Sequence, residues 1–524
     1  MNQLHSDAVD QTLRLVFQGV VPEIVLVVTA CVLFLLGTLR AGRAMAMPLA
    51  MLGLLGAAIA AAFVKFPDPA LMIPTIAPLS FDPLAIYLRC VVIISGALYL
   101  LVATAENTGR SQPEYLGCLL VAIAGLSLSC AANDLVTIFL SLEMISIPTY
   151  VMLYLGRNDR QGQEAAVKYF LLSILSSAFL LFGFSYLYGM TGVTNVTALL
   201  KLMPAMASSP AAILALVAVI MVLAGIGFRL TAVPFHFYAP DVYQGAPTGV
   251  VSFLAYAPKV AGFAVLFRLF AVTTNLEAPI YPNPDKIAIL LWVMAAITMT
   301  LGNVLALLQD NIRRLLAYSS VAHAGYMLMG LAAATQPAAA VTGDPFISGS
   351  EAILFYLVAY GAMTIGFFAV LMNLGTPERP IDAIDELAGV GQSHPFLGIS
   401  SAIFLFSLMG LPATAGFAGK FFLFAGTMNV PTTGSMGSLY QVLVLVAAVN
   451  AAIGAYYYLR VLGVMYLRST LSPLTTTPKA PLVLAIVICV LITIGFGVYP
   501  WPLVAEAEFA VQPLILPPAV ALGQ

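Results

Sequence analysis

Apolar residues in this chain come in long runs separated by short polar breaks. A helix rises about 1.5 Å per residue, so about 20 mostly apolar residues cross the hydrocarbon of a bilayer. Fourteen runs reach that length, at approximately 20–39, 47–65, 84–105, 114–132, 134–155, 164–189, 210–235, 248–272, 286–308, 314–334, 350–374, 397–427, 437–467 and 480–503. The pattern predicts an all-α polytopic membrane protein of about 14 transmembrane helices. The seventh, twelfth and thirteenth runs are the least regular. The stretch 227–259, GFRLTAVPFHFYAPDVYQGAPTGVVSFLAYAPK, sets Arg229, His236, Asp241 and Lys259 among prolines 234, 240, 247 and 258. In the twelfth run, Pro412 and glycines 410, 416 and 419 crowd around Lys420. Proline removes a backbone donor and opens the helical ladder, so helices seven and twelve are expected to be broken. One broken helix with a cation in each half is what an internal repeat of five helices would produce, helices 4–8 matching 9–13. The expected units are residues 1–113 (helices 1–3), 114–272 (first repeat), 286–467 (second repeat) and 468–524 (helix 14 and tail).

Composition agrees. Hydrophobic residues make up 61% and charged residues 8%, against roughly 25% charged in soluble domains. A net charge of −2 offers no basic surface for nucleic acid. The five cysteines (31, 90, 118, 130 and 489) are scattered without a CxxC and read as small buried hydrophobes. Nucleotide-binding fingerprints and HExxH are absent. The N-terminal stretch MNQLHSDAVDQTLRLVF lacks the basic start and cleavage site of a signal peptide. The loops are too short for a soluble domain. Alone, such a chain can move ions, but a redox cofactor to drive them would have to sit on another polypeptide.

Short-loop positive charge orients a membrane protein. Loops after odd-numbered helices hold Arg40, Arg43, Arg110, Arg157, Arg160, Arg313, Arg314, Arg379, Arg468 and Lys479; those after even-numbered helices hold only Lys65, Lys201 and Lys286. The odd loops are expected in the cytoplasm, with both termini on the opposite side.

Ionisable residues inside apolar runs carry the candidate chemistry. Glu143 lies mid-run, out of reach of either interface; it is either a carboxylate neutralised or paired for packing, or a titrating group whose proton is coupled to a neighbouring charge. Glu164 and Lys168 are spaced i, i+4 and read equally as a helix-surface ion pair or as part of a proton entrance. Lys259 and Lys420 either snorkel from helix edges or sit buried, where a lysine can give up its proton near neutral pH. His236 and His323 are relay candidates, or hydrogen-bonded core histidines. Together the carboxylate, cations and histidines on successive helices would form a polar axis for proton hopping.

At these residues a resemblance becomes specific. The segments SLEMISIPTYVMLYL, EAAVKYFLLSILSSAFLLFGFSYLYG, PFHFYAPDVYQGAPTGVVSFLAYAPKVAGF, NIRRLLAYSSVAHAGYML and SLMGLPATAGFAGKFFLF resemble the antiporter-like membrane subunits of the proton-pumping NADH–quinone oxidoreductase, respiratory complex I. The PDVYQGAPT stretch is similar to the subunit N type rather than to its paralogues L and M or to sodium/proton antiporter subunits. The match runs from about helix 4 to helix 13. The resemblance implies fourteen helices, two inverted five-helix repeats and discontinuous helices 7 and 12. It implies proton translocation through Glu143, a helix-7 cation, Lys259 and Lys420, with Glu164 matching a further acidic residue near the cytoplasm. It also implies partners in the membrane arm (subunits M, K, J and neighbours) and the peripheral arm, and the general character of the chain points to a bacterial plasma membrane rather than an organelle. NADH, FMN, iron–sulfur clusters and quinone would belong to the whole complex, with no cofactor in this chain. In one position the pattern departs: the family usually has lysine in helix 7, and here stands Arg229. Arginine keeps its proton, its pKa exceeding about 12, so Arg229 can pair and move but not carry. The rival expectation is a subunit of a sodium/proton antiporter.

Overall fold

A computed structural model describes residues 2–63, 73–106, 109–156, 159–206, 211–270, 284–336, 347–376, 380–430, 437–469 and 479–511. The loop cations Lys65, Arg157 and Arg379 lie outside the described residues. The chain opens with α1 (Asn2–Gly19), which meets α2 (Val21–Gly37) at a 53° bend. Then come α3 (Arg40–Ala44), α4 (Ala46–Phe63), α5 (Pro83–Ala103), α6 (Gln112–Ala131), α7 (Leu135–Gly156), α8 (Arg160–Thr191) and α9 (Val196–Leu202). The seventh run holds α10 (Ala211–Leu230), and beyond the break the short α11 (Ala239–Gly245) follows outside it, then α12 (Thr248–Leu269), α13 (Pro284–Leu307), α14 (Ile312–Ala334) and α15 (Gly349–Leu374). After the short α16 (Val390–Ser393), the twelfth run divides into α17 (Pro395–Met409) and α18 (Ala415–Met428). The remainder is α19 (Gly437–Leu467), α20 (Ala480–Val498) and α21 (Trp501–Val511).

Among the described residues, eleven single helices are long and apolar enough to cross a membrane, and the bent α1–α2 pair makes a twelfth. The shorter α4 and the broken α17–α18 account for the other two apolar runs. The helical part of the seventh run stops at Leu230, short of the apolar pattern's end near 235. There Thr231 turns into left-handed backbone at φ 58°, and Ala413 does the same at φ 67° in the twelfth run. Non-glycine residues rarely adopt that region, and held strain of this kind clusters where backbone must be redirected.

The two halves share a further detail. The first residue of α7 donates to the segment after α8, Leu135 N to Thr194 O at 2.9 Å, and Val196 N returns a bond to Asn133 O at 2.9 Å. The first residue of α14 donates to the segment after α15, Ile312 N to Asp382 O at 2.7 Å, and Ile384 N returns one to Asp310 O at 3.0 Å. Five crossings separate these two miniature bridges. An odd number of crossings places them on opposite faces, so the second copy is inverted relative to the first.

Within each copy, small residues let backbones meet. A Cβ on Gly225 of α10 would lie 2.9 Å from Ser176 O and Leu180 N of α8, and Ser176 Oγ donates to Gly225 O at 2.7 Å. A Cβ on Gly302 of α13 would lie 2.6 Å from Ala322 N of α14. Close approach of this kind holds helices together where lipid offers no hydrophobic drive. Three helices form the centre: the membrane-crossing part of α12 is wholly buried, and those of α14 and α15 are 94% buried. By contrast α20, the most apolar of the eleven, is 28% buried.

Candidate functional site

The first member of the site is Glu143 on α7. Ser146, one turn on, shares its face. Arg229, in the last turn of α10, reaches across: Nη2 lies 3.2 Å from Glu143 Oε1, while Nη1 donates to Ser146 Oγ at 2.7 Å and to Leu142 O at 3.2 Å. Ser177 of α8 donates to the same carboxylate at 2.5 Å. The Arg229 side chain is 4% exposed and that of Glu143 18%, so the pair has one open edge, on the carboxylate. The contact to the carboxylate is through a single nitrogen, not the two-pronged geometry for which arginine is suited.

Lys259 sits in the middle of α12 with no exposed surface. Its Nζ bonds Ser320 Oγ of α14 at 2.6 Å, Ala255 O at 3.3 Å and Thr231 Oγ1 at 3.3 Å, and lies 5.7 Å from the ring centre of Tyr360. Thr231 is the residue at which helix seven breaks, so the break itself supplies a ligand. Tyr243 donates to Ser320 at 3.3 Å. Lys420 repeats the arrangement at the other break. Its Nζ bonds Leu408 O at 2.8 Å and Met409 O at 3.1 Å, the carbonyls that end α17, and lies over Tyr326 at 5.2 Å. A helix C-terminus carries partial negative charge, which favours an ammonium.

Among the described residues neither lysine forms an ion pair. Carbonyls and hydroxyls stabilise the ammonium, and Ser320 can also donate to a neutral amine, since a hydroxyl is both donor and acceptor. Lys259 therefore has surroundings that accommodate both protonation states, which a lysine locked to a carboxylate would lack, while Lys420 is held by carbonyls alone.

His323 lies between the lysines, a turn beyond Ser319 and Ser320 on α14. Nδ1 meets Tyr356 OH at 2.5 Å and Nε2 meets Tyr458 OH at 3.1 Å, and Tyr458 in turn meets Ser319 at 2.5 Å. Hydroxyls and a ring that can exchange tautomers thus line the space from Ser320 toward Tyr326 and Lys420. His236 stands apart. It lies half-buried in the break after α10, its ring edge-on to Phe237, and it does not join this hydrogen-bonded group among the described residues.

Glu164 and Lys168 do form an i, i+4 pair at 2.7 Å, but Lys168 also bridges to Asp241 of α11 at 2.7 Å. Arg314 holds the other Asp241 oxygen at 2.8 Å, so the cluster ties α8, α11 and α14 together. Gln161 and Gln244 complete a polar cavity of about 170 Å³ on the arginine-rich face.

Two buried ion pairs were not anticipated. Arg89 of α5 binds Glu23 of α2 through Nη2 at 2.7 and 2.8 Å, and Ser127 donates to the same carboxylate at 2.5 Å. Arg268 of α12 pairs with Asp82, which precedes α5. Glu23, Arg89 and Arg268 are charges inside apolar runs, the very signal that picked out Glu143, so they were available to sequence reading; Asp82, just outside its run, was not.

Comparison with known proteins places the chain. The family described as NADH:quinone oxidoreductase/Mrp antiporter, transmembrane, matches residues 132–442. NADH-quinone oxidoreductase subunit N of Trichlorobacter lovleyi is 36% identical over 434 residues, 82% of this chain and 84% of that one. A chain of respiratory complex I from Thermus thermophilus superposes with a TM-score of 0.72 at 29% identity, over 92% of this chain and 98% of that chain. A chain of the Mrp complex from Dietzia sp. shares the fold, with a TM-score of 0.75 at 22% identity over 94% of this chain and 52% of that chain. With its two broken helices, its lysines at the breaks and relatives of the subunit N type over four-fifths of its length, the chain belongs to the NADH:quinone oxidoreductase/Mrp antiporter family of multi-pass membrane proteins.

Proposed function

We propose that this chain is a membrane-arm subunit of a proton-pumping NADH–quinone oxidoreductase, translocating protons without a redox centre of its own. The observation that carries this is the pair of buried lysines beside the two helix breaks, free of carboxylates among the described residues, with the hydrogen-bonded group Ser319–Tyr458–His323–Tyr356 lying in the interior between them. Electron transfer from NADH to quinone, through FMN and iron–sulfur clusters on partner subunits, supplies the drive. It acts by altering the Glu143–Arg229 pairing, and the change in nearby charge alters the proton affinity of Lys259. Protons then pass by way of His323 to Lys420. Arg229 moves but stays protonated. The Glu164–Lys168–Asp241 cavity is the entrance, and His236 is a spectator of the path.

In this reading residues 114–272 and 286–467 are the two functional repeats, each with one titrating lysine. The arginine-rich face is cytoplasmic, both termini lie outside, and the membrane is a bacterial plasma membrane. Neighbouring membrane-arm subunits cover the exposed edge of Glu143.

The test has two parts. Native membranes extracted in mild detergent are run on a native gel and stained for NADH dehydrogenase activity. The chain is expected in a very large band with flavin- and iron–sulfur-bearing subunits. Lys259→Ala and Lys420→Ala are then expected to assemble and to abolish or sharply lower proton transport per NADH. Migration only with other hydrophobic subunits, together with sodium-dependent proton exchange, would replace this reading with that of a cation/proton antiporter.

A further inference from the structure

The helix that carries Lys259 lacks a side-chain cap of its own at its N-terminus. α12 begins after Pro247, which offers no side-chain cap, and the first backbone N–H groups of a helix have no partner within it. Both of its ends are instead held by carboxylates from the two ends of α5. On the arginine-rich face Glu106, just beyond α5, accepts the N–H of Gly249 at 2.5 Å. On the opposite face Asp82 caps α5 through Ala85 N at 2.8 Å and binds Arg268 in the last turn of α12, with Nη2 to Oδ1 at 2.7 Å. A second Arg268–Asp82 contact and a bond from Arg268 to Cys130 O at 3.3 Å complete that end.

The two helices run antiparallel, and near the Glu106 end Tyr99 lies edge-on to Phe253 at 5.1 Å. The charges match the helix ends they touch, an anion at the N-terminus of α12 and a cation at its C-terminus. The fit at the Glu106 clamp is close: a Cβ on residue 249 would lie 2.7 Å from Glu106 Oε1 and push the carboxylate aside. Arg313 of α14 donates to Ala246 O and fixes the same turn from the other side.

We propose that Asp82 and Glu106 are positioning residues for proton transfer at Lys259: by gripping α12 at both ends they set its depth, and with it the reach of Lys259 to Ser320 and Thr231. A slip of one residue would move Lys259 by about 1.5 Å along the axis and turn it by about 100°, and the 2.6 Å bond to Ser320 would not survive. This rests on the proton-carrying role assigned above to Lys259.

The experiment uses the whole complex in sealed vesicles, with proton transport per NADH oxidised measured across pH for Glu106→Ala, Glu106→Gln, Asp82→Ala, Gly249→Ala and Lys259→Ala. Displaced surroundings for Lys259 are expected to move the pH midpoint of transport by about half a unit, a threefold change in proton affinity, in Glu106→Ala, Asp82→Ala and Gly249→Ala. Glu106→Gln keeps an acceptor for Gly249 N–H and is expected to retain the parent profile. Should Asp82→Ala fail to assemble, Gly249→Ala decides, because it keeps every charge and only pushes Glu106 aside. Parent profiles in assembled Glu106→Ala and Gly249→Ala, with transport lost in Lys259→Ala, would overturn the positioning role alone. An unchanged profile in Lys259→Ala would overturn the proton-carrying role and the positioning proposal with it.

Discussion

Replacing Arg229 by lysine asks whether its guanidinium is used as a planar fork or only as a charge. The geometry favours the charge. Arg229 touches Glu143 through one nitrogen at 3.2 Å, and its other bonds go to Ser146 at 2.7 Å and Leu142 O at 3.2 Å. Its Nε is buried without a hydrogen-bond partner among the described residues. Lysine carries the same charge and three donors. It forfeits at most one of the two lesser bonds, about 1.5–3 kcal/mol for a charged donor, and removes an unmet buried N–H that costs about 1–3 kcal/mol. The two nearly cancel, so Arg229→Lys is expected to leave assembly within about 1 kcal/mol of the parent. Arg229→Gln differs because it strips Glu143 of its cation. Breaking a buried pair costs about 3–5 kcal/mol, and the partial exposure of Glu143 brings this down to about 2 kcal/mol. The double change Arg229→Gln with Glu143→Gln removes both charges and should recover much of that loss, as a double-mutant cycle would show. Complex abundance on native gels and the melting temperature of the purified complex read the stability effect, and proton transport reads function. Arg229→Lys is expected to keep both, whereas Arg229→Gln should lose transport. If Arg229→Lys lost assembly as fully as Arg229→Gln, the guanidinium would have a structural duty in its bonds to Ser146 and Leu142, and the view of Arg229 as a mobile charge would fail.

Other outcomes are equally specific. Burial pushes the Glu106 carboxyl above the ordinary glutamate range, with the Gly249 N–H, Arg313 and Lys479 pulling it only part of the way back. A folded state that binds a proton more tightly than the unfolded one is favoured at low pH, so this contribution is full below the unfolded value and is lost as pH rises through the raised one. The melting temperature should therefore vary less with pH in Glu106→Gln than in the parent over that window; equal slopes would contradict it. Tyr458→Phe removes a hydroxyl that meets both His323 and Ser319, and should slow proton transport while leaving complex abundance near normal. Abundance falling in step with transport would instead make Tyr458 a packing residue. Gly225→Val must push α10 off the α8 backbone at 2.9 Å and should destabilise by about 1–3 kcal/mol, as overpacking does, read as lowered complex yield.

Hydropathy alone was enough for the class of fold, the fourteen apolar runs and the two interruptions. The reason is that the bilayer imposes one length and one polarity on whatever crosses it, and proline and glycine mark where the ladder opens. It was also enough to single out Glu143, Lys259, Lys420 and His323, because a charge or imidazole inside such a run stands out against its neighbours. Which helix is central could not be read so directly. α12, α14 and α20 all look like spans, yet the first two are enclosed by protein and the third faces outward; lipid and a packed core are both apolar, so the pattern along one helix does not say which surrounds it. In retrospect the low hydropathy of α14 was the clue, since only an interior helix can afford Ser319, Ser320 and His323.

Spacing gave the Glu164–Lys168 pair, and the resemblance implied a partner for Glu143 in helix 7, but the other long-range pairings required the tertiary structure. Glu143 finds Arg229 across 86 positions, Lys259 finds Ser320 across 61, and Asp82 finds Arg268 across 186. No local spacing rule reaches that far. These partners are chosen by how the broken helices and the inverted copies stack. For the same reason His236, as polar in sequence as His323, lies in the break beside Phe237 and outside the path, and Glu106 and Asp82, unremarkable at the ends of one helix, turn out to grip another.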